Sequence, residues 1–149
     1  MGKIRLTFPE KLLLVTTGVG LIHHLDHVLR VDHSGWPFLS RVTPFTYSLL
    51  VYPVILVVLL ARGRAWLRVA LAVPLFLFPT LSHIFLETPL DQYETWAHCP
   101  DVNMLDVSSP VVGLIAAAIS VLLSLLALAV LLAFVREARE KGEGGVILA

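Results

Sequence analysis

Four long apolar stretches constrain this chain most, because each is close to the length of a helix that crosses a lipid bilayer. These stretches lie at about residues 11–30, 46–61, 65–87 and 110–135. The last stretch is the least ambiguous, because at 1.5 Å per residue it more than spans a hydrocarbon core of roughly 30 Å. Only 15% of the residues are charged, against about 25% in soluble domains. The sequence predicts an all-α integral membrane protein, a four-helix bundle formed by a single transmembrane domain over residues 1–149.

The positive charges predict the orientation of these helices. Nine of the eleven Lys and Arg residues lie before the first helix or at its start, in the 62–68 loop, or after the fourth helix. The positive-inside rule then gives an N-in, C-in topology in the cell membrane, with outer loops at 31–45 and 88–109 and a cytoplasmic tail at 136–149. We expect the lipid bilayer as partner and no nucleic acid, because the net charge is zero and no basic patch is present.

A dense polar run, His23-His24-Leu25-Asp26-His27-Val28-Leu29-Arg30, ends the first apolar stretch. One Asp or Arg in a membrane helix costs roughly 2.5–3.5 kcal/mol on a translocon-type scale, so a partner or a bound ion must offset it. At about 100° per residue, the side chains of His23, Asp26, His27 and Arg30 share one helical face. This face marks the candidate site.

The third helix carries a matching pair, His83 and Glu87, which lie four residues apart and therefore on one face. Under the predicted topology, this pair and the first-helix run lie at similar depth near the outer surface. Facing helices with imidazoles and carboxylates resemble the way helix bundles build metal sites. We therefore expect His23, His27, His83 and Glu87 to bind a metal, with zinc or non-haem iron favoured.

Other polar residues are expected to support this site. Asp26 or Asp106 would accept hydrogen bonds from the imidazoles and orient them, as outer carboxylates do in metal sites. Arg30 would assist, and His24 and His33 would extend the site. Two plainer interpretations remain open: histidines bonded to loops or water near the interface, and a structural clamp in which Arg30 pairs with carboxylates of both helices.

The same residues also allow acid–base chemistry, with His83 and Glu87 as the catalytic pair. The stretch Ser82-His83-Ile84-Phe85-Leu86-Glu87 resembles the helical His-x-x-x-Glu element of sterol-isomerase-type EXPERA membrane proteins. That resemblance implies a pair that shifts a double bond in a lipid. A b-type haem held by one histidine from each helix is a further alternative.

The sequence leaves the functional class open. An enzyme acting on a lipid-like or periplasmic substrate, a proton or metal transport component, and a non-catalytic subunit of a membrane complex all fit. The fourth helix carries a stripe of small residues that allows close helix packing, either within the bundle or in a homo-oligomer or larger complex. We also expect Trp96 to lie at the outer membrane interface, where amphipathic aromatic side chains are enriched.

Overall fold

A computed structural model describes residues 5–30 and 44–146. Every regular element in these ranges is helical, and we number the α-helices in chain order. They are α1 (Phe8–Leu29), α2 (Pro44–Ser48), α3 (Val51–Leu60), α4 (Ala65–Phe85), α5 (Pro89–His98) and α6 (Pro110–Val146), with a 3-10 helix at Pro100–Val102 after α5.

Three of these helices are long and apolar enough to cross a membrane: Phe8–Leu29, Ala65–Phe85 and Pro110–Gly142. The apolar segment Phe45–Leu60 is shorter. The expected second spanning helix, 46–61, is interrupted at its start. Because Pro53 has no N–H to donate to Leu49, the Leu49 carbonyl accepts instead from Tyr52 N at 3.3 Å.

The first helix starts at a sequence-encoded cap. Thr7 and Glu10 form a capping box: the Thr7 side chain bonds to the backbone of the first turn, and Thr7 N donates to Glu10 Oε2 at 2.8 Å. Such a box satisfies two of the amide groups that lack partners inside the helix. The cap sets the start of α1 at Phe8, three residues before the apolar stretch suggests.

The segment 88–109, expected to be a loop, contains α5. Its start is encoded by a second capping box, in which Thr88 N donates to Asp91 Oδ2 at 2.8 Å and Asp91 N donates to Thr88 Oγ1 at 3.2 Å. Pro89 occupies the first turn, where a missing N–H costs nothing. The C-terminal end also differs, because α6 continues to Val146 instead of ending near residue 135.

Helix α6 is the centre of the fold, since α1, α4 and α5 all pack along it. The apolar core lies at one end, where Leu13, Val58, Ala72, Val130 and Phe134 meet. At the other end, Met104 N donates to the Leu29 carbonyl at 2.8 Å and Ser109 N donates to the Trp96 carbonyl at 2.8 Å. These bonds fix α5 and its following loop beside the last turn of α1.

Candidate functional site

His23 and His27, one turn apart on α1, face each other with their Nε2 atoms. His23 Nε2 and His27 Nε2 are 3.0 Å apart. The Nδ1 atoms point elsewhere: His23 Nδ1 lies 3.3 Å from the Ser120 hydroxyl of α6, and His27 Nδ1 lies 3.4 Å from Glu87 Oε2. Each ring therefore places one nitrogen at its neighbour and the other near an oxygen of another segment.

His83 of α4 joins these rings. Its ring centroid lies 4.7 Å from that of His23 and 6.5 Å from that of His27. Its Nδ1 lies 3.2 Å from the Glu87 backbone carbonyl and 3.2 Å from the Gln92 side-chain amide. The carbonyl oxygen only accepts and the Gln92 Nε2 only donates, so the two contacts call for opposite tautomers of the His83 ring.

A buried guanidinium holds the two carboxylates of this region. Arg30, which is fully buried, donates to Glu87 Oε1 and, from Nε, to Asp26 Oδ2 at 2.9 Å. The other oxygen of Asp26 accepts from Trp96 Nε1 at 2.7 Å. These contacts form the clamp that the sequence left open as an alternative. They also leave the Glu87 carboxylate facing Arg30 and His27, while His83 contacts the Glu87 backbone.

His24 lies on the neighbouring face of α1 and has separate partners. Its Nδ1 is 2.5 Å from the Tyr52 hydroxyl, and its Nε2 is 2.8 Å from the Ser48 hydroxyl. Both ring nitrogens are therefore engaged by α2 and α3. This pairing fastens the short apolar segment to α1, next to the other three imidazoles.

A cavity of about 220 Å³ runs from these imidazoles into the bundle. All four α1 and α4 histidines line it, together with Glu87. Its far end is formed by apolar side chains, including Leu13 and Val130. From Leu13 to His27 along α1 is roughly 20 Å at 1.5 Å per residue. The cavity is thus long and carries its ionisable groups at one end.

We call this region, defined by His23, His27, Arg30, His83 and Glu87, the imidazole end. In residues 5–30 and 44–146, no group of three or more His, Cys, Asp or Glu side chains stands in a metal-holding arrangement. His33, expected to extend the site, lies outside the described residues. Asp106, expected as a hydrogen-bond acceptor, is exposed in a turn with a φ of 50°.

Three buried residues next to the imidazole end were not expected there. Gln92 and Ser120 are buried and link the rings, because Ser120 Oγ donates to Gln92 Oε1 at 2.5 Å. Trp96, expected at the membrane interface, is only 1% exposed and donates to Asp26. The Thr88–Asp91 capping box is the sequence signal that could have placed Gln92 and Trp96 on a helix.

A second polar group lies at the opposite end of the bundle, and we call it the arginine end. Arg68 of α4 donates to Glu10 Oε1 at 3.2 Å and to Glu137 Oε1 at 3.2 Å. Arg62 donates to both oxygens of Glu10, from Nε at 2.8 Å. Arg68 also lies over the Phe134 ring, 4.4 Å from its centroid. These contacts tie α1, α4 and α6 together.

Comparison with protein-family models, with curated proteins and with solved structures found no match to this chain.

Proposed function

We propose that this protein is a membrane-embedded helical bundle that binds a transition-metal ion through the imidazoles of His23, His27 and His83. Zinc and non-haem iron suit such a nitrogen-rich set. The observation that supports this proposal most strongly is that the Nε2 atoms of His23 and His27 lie 3.0 Å apart. Two nitrogens, each 2.0–2.1 Å from one ion, lie about 3.0–3.4 Å apart.

The surroundings of two of the three rings support metal binding. Metal-ligating histidines almost always place the second ring nitrogen against a carboxylate, a backbone carbonyl or water. Here His27 Nδ1 faces the Glu87 carboxylate and His83 Nδ1 faces a backbone carbonyl. In this proposal Glu87 orients His27 and does not ligate the ion. Because the three rings do not stand in a metal-holding arrangement, the His83 ring would have to turn toward the Nε2 pair to ligate the ion.

Local charge also favours a cation. Among the described contacts, Arg30 faces two carboxylates, Asp26 and Glu87. One negative charge is therefore left over when both carboxylates are ionised. Both carboxylates are largely shielded from solvent, and a cation bound beside the excess negative charge offsets part of its cost. A proton shared between His23 and His27 would explain the Nε2 contact equally well, so the experiment must separate a proton from a metal.

The test is elemental analysis of protein expressed in metal-replete medium and purified in detergent without chelators. We expect about one zinc or iron per chain, and a loss of that metal in His27→Asn. His98→Asn is the matched control, because His98 is exposed and its ion-pair partner is the exposed Glu94. Metal-free wild-type protein that is folded overturns the proposal, and a Soret absorption band would select haem instead.

We also propose that the imidazole end faces the outside of the cell, with both termini in the cytoplasm. The excess of Lys and Arg at the opposite end supports this orientation. Cys99, the single cysteine, is exposed directly after α5. A membrane-impermeant maleimide should label it on intact cells, whereas a Cys99→Ser, Gly142→Cys protein should react only after lysis. The opposite pattern would reverse the orientation.

A further inference from the structure

We infer that the long cavity holds a single-chain membrane lipid whose head is an uncharged oxygen group, such as an alcohol or carbonyl, placed at the imidazole end. The inference names the substrate class of the proposed metal site and rests on that proposal only for the contact with the head. The lipid chain would lie between α1 and α4, which both pack on α6.

The lower part of the cavity suits a hydrocarbon chain. Its walls include Leu13, Leu75 and Val130. Two hydroxyls also line it, but Thr16 Oγ1 donates to the Leu12 carbonyl at 2.9 Å and Thr17 Oγ1 donates to the Leu13 carbonyl at 2.8 Å. Their hydrogen atoms are thus used within α1. Engineered cavities lined only by apolar side chains stay dry and bind apolar molecules such as benzene, so the apolar walls of this lower part favour an apolar occupant over water.

The upper part of the cavity decides which head group fits. His24, Tyr52 and the three imidazoles offer hydrogen-bonding atoms there. Glu87 also lines this part, and its carboxylate accompanies that of Asp26 around a single guanidinium. In the metal-free protein, a fatty-acid carboxylate would add a third negative charge in a poorly solvated place, which is unfavourable. An alcohol or carbonyl oxygen adds no charge, so it fits this end with or without the proposed ion, and with the ion bound it could occupy the open position of a three-histidine site.

Two glycines of α1 provide a matched pair of variants. Gly20 lines the cavity, and a Cβ there would meet only Leu123 Cδ1 at 3.8 Å, which is ordinary contact. Gly18 is exposed and has open space around a Cβ. Gly20→Leu should fill the cavity, while Gly18→Leu adds the same side chain on the outer surface of the same helix.

The experiment uses a long-chain alcohol that carries a diazirine in mid-chain, photolysed with the purified full-length protein in detergent and mapped by peptide mass spectrometry. We expect labels on cavity-lining residues of α1 and α4. Gly20→Leu should reduce this labelling by about tenfold, equivalent to 1.4 kcal/mol of binding free energy, and Gly18→Leu should leave it unchanged. Thr17→Leu, which fills the cavity one turn away, serves as a second variant if Gly20→Leu does not fold.

The inference is overturned if both folded cavity variants label like the wild type, or if labels fall only on outward-facing residues such as Leu21 and Ile22. Stronger labelling by the matching diazirine fatty acid would overturn the head-group assignment. Metal content is measured on the same samples. Cavity labelling without metal contradicts the proposed function alone, and metal without cavity labelling contradicts the lipid inference alone.

Discussion

The two ends of the bundle share one arrangement of charged side chains but differ in what surrounds it. At each end a buried arginine lies between two carboxylates: Arg30 between Asp26 and Glu87, and Arg68 between Glu10 and Glu137. The arginine end adjoins the packed apolar core, and its charges cross-link three helices. At the imidazole end, the carboxylates also contact His27 and Trp96 beside a cavity.

The sign of the local charge separates the ends further. At the arginine end, Arg62, Arg68 and Lys141 contact Glu10 and Glu137, so positive charge is in excess. The described contacts at the imidazole end leave negative charge in excess. At the arginine end, the positive charges match or exceed those of the carboxylates, and such a clamp stabilises the fold. At the imidazole end, one carboxylate charge beside the imidazoles is not matched, and this arrangement suits a cation. The comparison therefore predicts that stability and metal binding can be changed separately.

The largest expected effect is on stability, from Arg68→Met. Removing this guanidinium leaves Glu10 with Arg62 and Glu137 with Lys141. The free energy of unfolding should fall by about 3 kcal/mol, the lower end of the range for breaking a buried ion pair. Denaturation in mixed micelles measures the loss, and Arg64→Met, at an exposed position of the same end, is the control. Metal content per folded chain should not change, and a parallel loss of metal would show that the ends are coupled.

The second prediction concerns metal affinity. Glu87→Gln keeps the shape of the side chain but removes the charge that faces His27 and Arg30. Outer-sphere partners of this kind typically contribute a factor of about 10–100 in metal affinity, and we expect a loss in that range by competition with a chelator. Glu137→Gln, which removes a carboxylate at the arginine end, should leave the affinity unchanged. Equal effects from both variants would mean that the two carboxylates play the same role.

The third prediction concerns how α5 is held at the imidazole end. A Cβ at Gly113 would lie 2.6 Å from the Tyr93 carbonyl oxygen, so the backbones of α5 and α6 touch there. Gly113→Ala should destabilise the protein by about 1–3 kcal/mol, the usual range for overpacking. Gly18→Ala, which meets open space, is the control. If Gly113→Ala unfolds like the wild type, α5 is free to move away from α6.

The sequence predicts that the polar groups of α1 and those at the end of α4 lie near each other. This prediction is possible because charge asymmetry and helical periodicity are properties of whole segments. The contacts of His27 and Arg30 with Glu87 agree with that expectation. The partners of Glu10 and Arg68 were not predicted, because they depend on the rotation of each helix about its axis. The stripe of small residues in the last helix predicts close packing, and Gly113, Ser120 and Ala127 are buried within the chain.

The segment 88–109 has more regular structure than its composition suggests. Its polar composition indicated a loop, and Trp96 indicated a membrane anchor. The short helix α5 is stable there because its cap is encoded by Thr88 and Asp91 and because Gly113 allows it to approach α6. The polar residues of this segment include Gln92 and Thr95, which are buried and hydrogen-bonded, as well as residues that are exposed to solvent. Average hydrophobicity cannot distinguish these two causes.

The smallest expected effect comes from Trp96→Phe, which keeps most of the ring but removes the N–H that bonds to Asp26. A hydrogen bond to a charged group contributes about 1.5–3 kcal/mol, and we expect about 1.5 kcal/mol because Asp26 retains Arg30. Trp66→Phe, at an exposed position near the arginine end, is the control for the change of ring. If Trp96→Phe lowers stability but not metal affinity, Asp26 belongs to the clamp alone. If it lowers both, then the position of Asp26 is transmitted through Arg30 and Glu87 to His27, and the clamp and the site form one unit.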